Sequence, residues 1–105
     1  MPHEQNPKKR IEIIIEAPLS RRVIEQLDQT GVTGYSVFPL LCVKGLSGFW
    51  SADGQITNAS EMVAIVYITD ASMADKVLDK VFSIVSRQFG IVSMSDVVVI
   101  RSQHF

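Results

Sequence analysis

A chain of 105 residues is the size of one domain, long enough to bury a core and too short for two. A hydrophobic fraction of 47% excludes disorder, and a net charge of −1 excludes the basic field that draws a protein to nucleic acid or an anionic membrane. The single cysteine, Cys42, closes no internal disulfide, supplies no thiolate cluster for a metal and points to the cytoplasm, and no run is long and apolar enough to insert in a membrane.

Residues 1–9, with Pro2, Pro7 and several polar side chains, read as a flexible N-terminal arm ahead of one domain over 10–105. Ile11, Ile13 and Ile15 then alternate with Glu12, Ile14 and Glu16, a period of two that predicts the first strand. Pro18 and Ser20 introduce a helix whose Leu19, Val23, Ile24 and Leu27 recur at helical spacing, with Gly31 placed as a left-handed cap. The second strand runs from Gly34 to about Val43, and Pro39, which cannot donate to a ladder, puts it at an edge or a bulge. Met62 to Ile68 is a third strand, apolar at every position.

Asp70 is placed to cap a second helix with an inner stripe of Ala74, Val77, Leu78, Val81, Ile84 and Val85, closing at Gly90. Ile91 to Arg101 is the last strand. The order β, α, β, β, α, β is the α+β ferredoxin-like arrangement: an antiparallel four-stranded sheet with two helices on one face. Met62, Ala64, Val66 and Ile68 would then make the other face of the third strand apolar too, which predicts self-association.

Between the second and third strands lies a loop over 45–60, longer than a hairpin needs and therefore a candidate functional segment. Gly45, Gly48 and Gly54 give it conformational range, and Ser47 and Ser51 offer hydroxyls beside backbone amides, a composition able to wrap an anion. Phe49 and Trp50 are two aromatics that must bury against a base, a neighbouring subunit or a target. Taken alone, the loop reads equally as a mobile turn with its aromatics packed back on the body.

Gly31-Val32-Thr33-Gly34-Tyr35-Ser36-Val37 resembles a stretch of the PII signal-transduction family. Gly45-Leu46-Ser47-Gly48-Phe49-Trp50-Ser51 is similar to the loop of its divergent branch associated with carboxysomes and inorganic carbon, as are Phe89 to Ser93 and the ending Arg101 to Phe105. The resemblance spans about residues 10–105. It implies a homotrimer with nucleotide clefts between subunits and a signalling segment, the T-loop, between strands two and three. Gly34, Ser36 and Val37 would border base and ribose, Gly45, Leu46, Ser47 and Gly48 the phosphates, and Gly90, Ile91 and Val92 the far wall. Arg101 would add a cation, and Lys44, Phe49, Trp50 and Ser51 would carry the effector response. ADP or AMP is the implied ligand, with ATP as a further candidate and bicarbonate able to join the site; no cofactor is required. A bicarbonate transporter or carboxysome component is the implied kind of target. The chain departs from the family in having no tyrosine over 45–60 for the classical modification, and in having Val43 and Leu46 where the carbon-linked branch tends to have glycine and arginine.

An enzyme would need a nucleophile with a base, or paired carboxylates in a pocket, and the sequence offers neither, so no catalytic and no metal residues are expected. His3 and His104 lie near the termini, and Asp75 and Asp79 sit one turn apart on the outer face of the second helix. Cys42 at the loop base reads as a small apolar side chain or a redox sensor. An RNA-recognition domain shares the element order but needs stacking aromatics on its central strands, where this chain has aliphatics and one tyrosine. A CutA-like trimer with a metal-linked role, or an amino-acid-binding regulatory module, remains open as an alternative of another class.

Overall fold

The computed structural model describes residues 5–31, 34–45, 48–51, 61–86 and 90–100. In chain order it forms β1 (Asn6–Glu16), α1 (Ala17–Gln29), β2 (Tyr35–Pro39), β3 (Cys42–Gly45), β4 (Gly48–Ser51), β5 (Met62–Thr69), α2 (Ala71–Val85) and β6 (Ile91–Val99). Four strands make one sheet in the order β2-β5-β1-β6, every neighbour antiparallel, and β3 and β4 pair separately. This is the expected ferredoxin-like fold, with a ribbon inserted between β2 and β5.

The core follows from the alternation on β1. Ile11, Ile13 and Ile15 all point to the helical side and are fully buried, opposite Tyr67, Ile65 and Val63 of β5. Val23 and Leu27 of α1 and Ala74, Val77, Val81 and Val85 of α2 complete the cluster. Burying a Val, Leu or Ile side chain fully is worth about 1.5–3 kcal/mol each, and the helices are held on the sheet mainly by this stripe.

Several boundaries differ from the sequence reading, each for a local reason. β1 begins at Asn6, inside the expected arm of residues 1–9, because residues 6–9 pair with 96–99 of β6. The expected second strand ends early, at Pro39; the Leu40 amide still donates to the Met62 carbonyl of β5, and Cys42 to Gly45 pair with β4 instead. Pro39 sits at the end of an edge strand, where its missing N–H costs nothing. Gly31 has φ +84, the left-handed conformation that stops α1.

Asp70 occupies the N-cap of α2 but its side chain makes no capping hydrogen bond. Its carboxylate pairs with Lys8 of β1, and its carbonyl accepts from the Met73 and Ala74 amides. α2 ends at Val85 and not at Gly90, and β6 ends at Val99, which leaves Arg101 outside the described residues.

The face of the sheet away from the helices is less uniformly apolar than β5 alone suggested. Met62 and Ala64 are already buried within the chain, while Val66 and Ile68 are half-buried. On the neighbouring β1 the same face carries Lys8, Arg10, Glu12 and Glu16, with an Arg10–Glu12 ion pair at 3.1 Å.

Candidate functional site

The base of the insertion is built by the end of β2, the β3–β4 ribbon and the start of β5. Cys42 lies opposite Ser51, Val43 opposite Trp50, Lys44 opposite Phe49 and Gly45 opposite Gly48. The segment from Gly45 onward, expected as one continuous loop over 45–60, therefore begins as a hairpin. Gly45 and Gly48 form the last pair of the ribbon, and Leu46 and Ser47 lie outside the described residues. Val43 is buried, whereas Lys44 and Cys42, on either side of it in sequence, are exposed, so the ribbon has an inner and an outer face. Lys44 is thus a cation presented to solvent at the loop base.

Beside the ribbon, the open side of the sheet carries a row that the sequence reading missed: Phe38, Ala64, Ile14 and Ile91, one from each strand. Phe38 and Ile91, at the two ends, are exposed. Alternation within each strand was the available signal, but the row is visible only once the register of all four strands is known.

The expected nucleotide residues fall into two groups. Gly34, Ser36 and Val37 lie at β2, one edge of the sheet; Gly90, Ile91 and Val92 lie at β6, the other edge. Three inter-strand spacings separate these edges, about 14 Å at the usual 4.7–4.9 Å per strand. One chain does not bring the two groups together. Within β2, Ser36 points to the open face with Val66, and Val37 points to the helical face with Ile65.

Gly90 is positioned by close packing: a Cβ there would stand 2.4 Å from Cγ1 of Val85 and 3.2 Å from the carbonyl oxygen of Ile14. The expected far wall is therefore pressed against the end of α2 and the middle strand.

Two concavities lie elsewhere. One of about 360 Å³ is at the end of the sheet remote from the ribbon, among Pro7, Lys8, Ala71, Asp96 and Val98. Its lysines are matched by carboxylates, Lys8 by Asp70 and Lys9 by Asp96. A smaller groove of about 230 Å³ lies between α1 and α2, lined by Arg22, Gln26, Lys80 and Ile84. Among the described residues no group of three or more His, Cys, Asp and Glu is arranged to hold a metal ion. No described helix is long and apolar enough to cross a membrane. The one buried side-chain oxygen without a partner among the described residues is the Tyr67 hydroxyl, and burial pushes that phenol well above its ordinary pKa.

The family model described as nitrogen regulatory protein P-II matches residues 8–104, nearly the whole chain. The chain belongs to the P-II family. No curated protein sequence matches it significantly. Among solved structures, this P-II chain is similar to CPII, a nitrogen regulatory PII-like protein from Thiomonas intermedia K12 bound to ADP, AMP and bicarbonate. The TM-score is 0.91 at 23% identity, over 99% of this chain and 98% of that one. It is also similar to a PII-like signalling protein from Thermus thermophilus, with TM-score 0.80 and 18% identity over 97% and 98% of the two chains. A DUF3240 family protein from Shewanella baltica is more distant, with TM-score 0.65 and 10% identity over 83% and 86%. At these identities the likeness establishes the P-II fold.

Proposed function

We propose that this P-II protein is a regulatory sensor that binds an adenine nucleotide, ADP or AMP, in clefts between the subunits of a homotrimer and signals through the β3–β4 insertion. Bicarbonate joins the site, and the protein works in the cytoplasm on inorganic-carbon metabolism, with no reaction of its own. The target is a protein of that system, such as a bicarbonate transporter or a carboxysome component.

The observation that carries this reading is the placement of the glycine-bounded ribbon, with Lys44 exposed, beside an edge of the sheet in a chain of the P-II family. Backbone amides around Gly45 and Gly48 and the Lys44 ammonium are the donor set that phosphate oxygens require. The structural likeness to a CPII crystallised with ADP, AMP and bicarbonate supports the choice of ligand. The separation of the two residue groups at opposite sheet edges supports a cleft between subunits over a pocket within one.

Isothermal titration with ADP, AMP and ATP, each with and without bicarbonate, tests the proposal. Saturable heat from ADP or AMP at micromolar to millimolar concentration is expected. No heat and no melting shift with any of the three nucleotides overturns it.

A further inference from the structure

The groove between the helices is built without the sheet. Arg22, Glu25 and Gln26 of α1 line it together with Lys80, Ser83 and Ile84 of α2, and no strand contributes a residue. Arg22 and Gln26 are one turn apart on α1, as are Lys80 and Ile84 on α2, so each helix presents one row to the other. Ile84 is half-buried against the core cluster and gives the groove an apolar floor, whereas Arg22, Glu25, Lys80 and Ser83 are exposed.

The charges of the two helices are sorted around this groove. Of their carboxylates, Glu25 lines it, and Asp28, Asp75 and Asp79 do not. Arg22 and Glu25 have the three-residue spacing at which opposite charges commonly pair on a helix. Among the described residues, however, the ion pairs are Lys8–Asp70, Lys9–Asp96 and Arg10–Glu12, and Arg22, Glu25 and Lys80 join none of them. A guanidinium, an ammonium and a carboxylate therefore stand around one small concavity with their charges open to a ligand. The Ser83 hydroxyl donates to the Lys80 carbonyl at 2.8 Å, so toward the groove it acts as an acceptor.

Size narrows the class of ligand. Sites for drug-sized molecules occupy about 300–1,000 Å³. A groove of about 230 Å³ is too small for a nucleotide and matches a compact metabolite.

We propose that this groove binds an acidic α-amino acid. The charges match one for one: two carboxylates meet the Arg22 guanidinium and the Lys80 ammonium, the amino group meets Glu25, and the methylenes lie on Ile84. The planar fork of Arg22 receives its carboxylate through two charge-assisted hydrogen bonds. A neutral amino acid leaves one cation unmatched, and a dicarboxylate without an amine sets Glu25 against a net negative ligand. Every lining residue comes from one chain, so the site requires neither a second copy nor a bound nucleotide. Because the groove is open to water and salt, the affinity falls in the millimolar range and weakens as ionic strength rises.

Proton–nitrogen NMR spectra of the full chain test the site, with sodium L-glutamate titrated against sodium chloride of equal ionic strength and with L-glutamine and glutarate for comparison. The expected result is saturable shifts of the Arg22, Gln26, Lys80 and Ser83 amides with L-glutamate, and weaker binding of both comparison molecules. Arg22→Gln and Lys80→Gln should each weaken L-glutamate by about two- to fivefold, the worth of one exposed charge contact. Glu25→Gln should narrow the preference for L-glutamate over glutarate, which a general loss of structure does not do, and circular dichroism reports the fold of each variant. The ranking of the three ligands on the unaltered chain needs no variant at all. Shifts that are absent or fail to saturate at tens of millimolar overturn the proposal. So do shifts that persist unchanged when Arg22→Gln and Lys80→Gln are combined, or glutarate that binds the unaltered chain as tightly as L-glutamate.

Discussion

Gly90 lies so close to Val85 that a methyl group on it would stand 2.4 Å from the valine Cγ1. Val85 is buried at the end of α2, and β-branching leaves it few rotamers into which to move. Ile14, whose carbonyl would be 3.2 Å away, belongs to the central strand β1. Gly90→Ala is therefore expected to destabilise by about 1–3 kcal/mol through overpacking, read as a lower Tm and an earlier urea midpoint. An unchanged midpoint would show that the turn into β6 shifts freely.

Tyr67 is 1% exposed, and its hydroxyl has no partner among the described residues. Leaving a buried hydroxyl unpaired costs about 1–3 kcal/mol, so Tyr67→Phe is expected to match or exceed the stability of the unaltered chain. The pH dependence is specific. Burial raises the folded-state pKa above the ordinary value of 10.0. The unfolded chain therefore releases this proton first as pH rises, and the stability that Tyr67 contributes below pH 10 is lost above it. Denaturation at pH 9 and pH 11 should show a larger drop for the unaltered chain than for Tyr67→Phe; parallel drops would mean the phenol ionises normally.

Asp70 pairs with Lys8, whose side chain is only 14% exposed, whereas Asp96, which pairs with Lys9, is itself 83% exposed. Exposed pairs contribute about 0–1 kcal/mol, and the Lys9–Asp96 pair belongs with these. Asp70→Ala removes the partner of the Lys8 side chain, the less exposed of the two lysines, and should cost about 1 kcal/mol. Asp96→Ala should stay within about 0.5 kcal/mol. Equal effects in thermal melts would mean that Lys8 finds another partner.

Trp50, the only tryptophan, is paired across the ribbon with buried Val43. If the insertion orders around phosphate, ADP should shift its emission. Gly48→Pro, which removes one N–H from the residue opposite Gly45, should weaken that response. Calorimetric binding of ADP with no change in Trp50 emission or in protease sensitivity of the insertion would move the signal to another surface.

Much of this molecule was legible as pattern. Ile11, Ile13 and Ile15 at period two and Val77, Val81 and Val85 at helical spacing declare which face each element buries, because burial of apolar area is set by local geometry. Gly31 announced the end of α1 for the same reason, since only a left-handed residue stops a helix there cheaply. The family was legible too, in the glycine-spaced stretch from Gly31 and the Gly45 to Ser51 motif.

Register and partner choice were not legible. Residues 6–9 look like an arm until β6 supplies a strand for them to pair with, and Asp70 looks like a cap until the fold brings Lys8 beside it. Gly34 and Gly90 appear as parts of one site in a linear reading, yet strand order places them at opposite edges of the sheet. Hydrogen bonds between strands and ion pairs between elements are long-range contacts whose partners no local spacing specifies. The chain alone thus determined which residues are buried and what kind of elements they form, while the tertiary structure decided which strands pair and which two, β2 and β6, form the edges of the sheet.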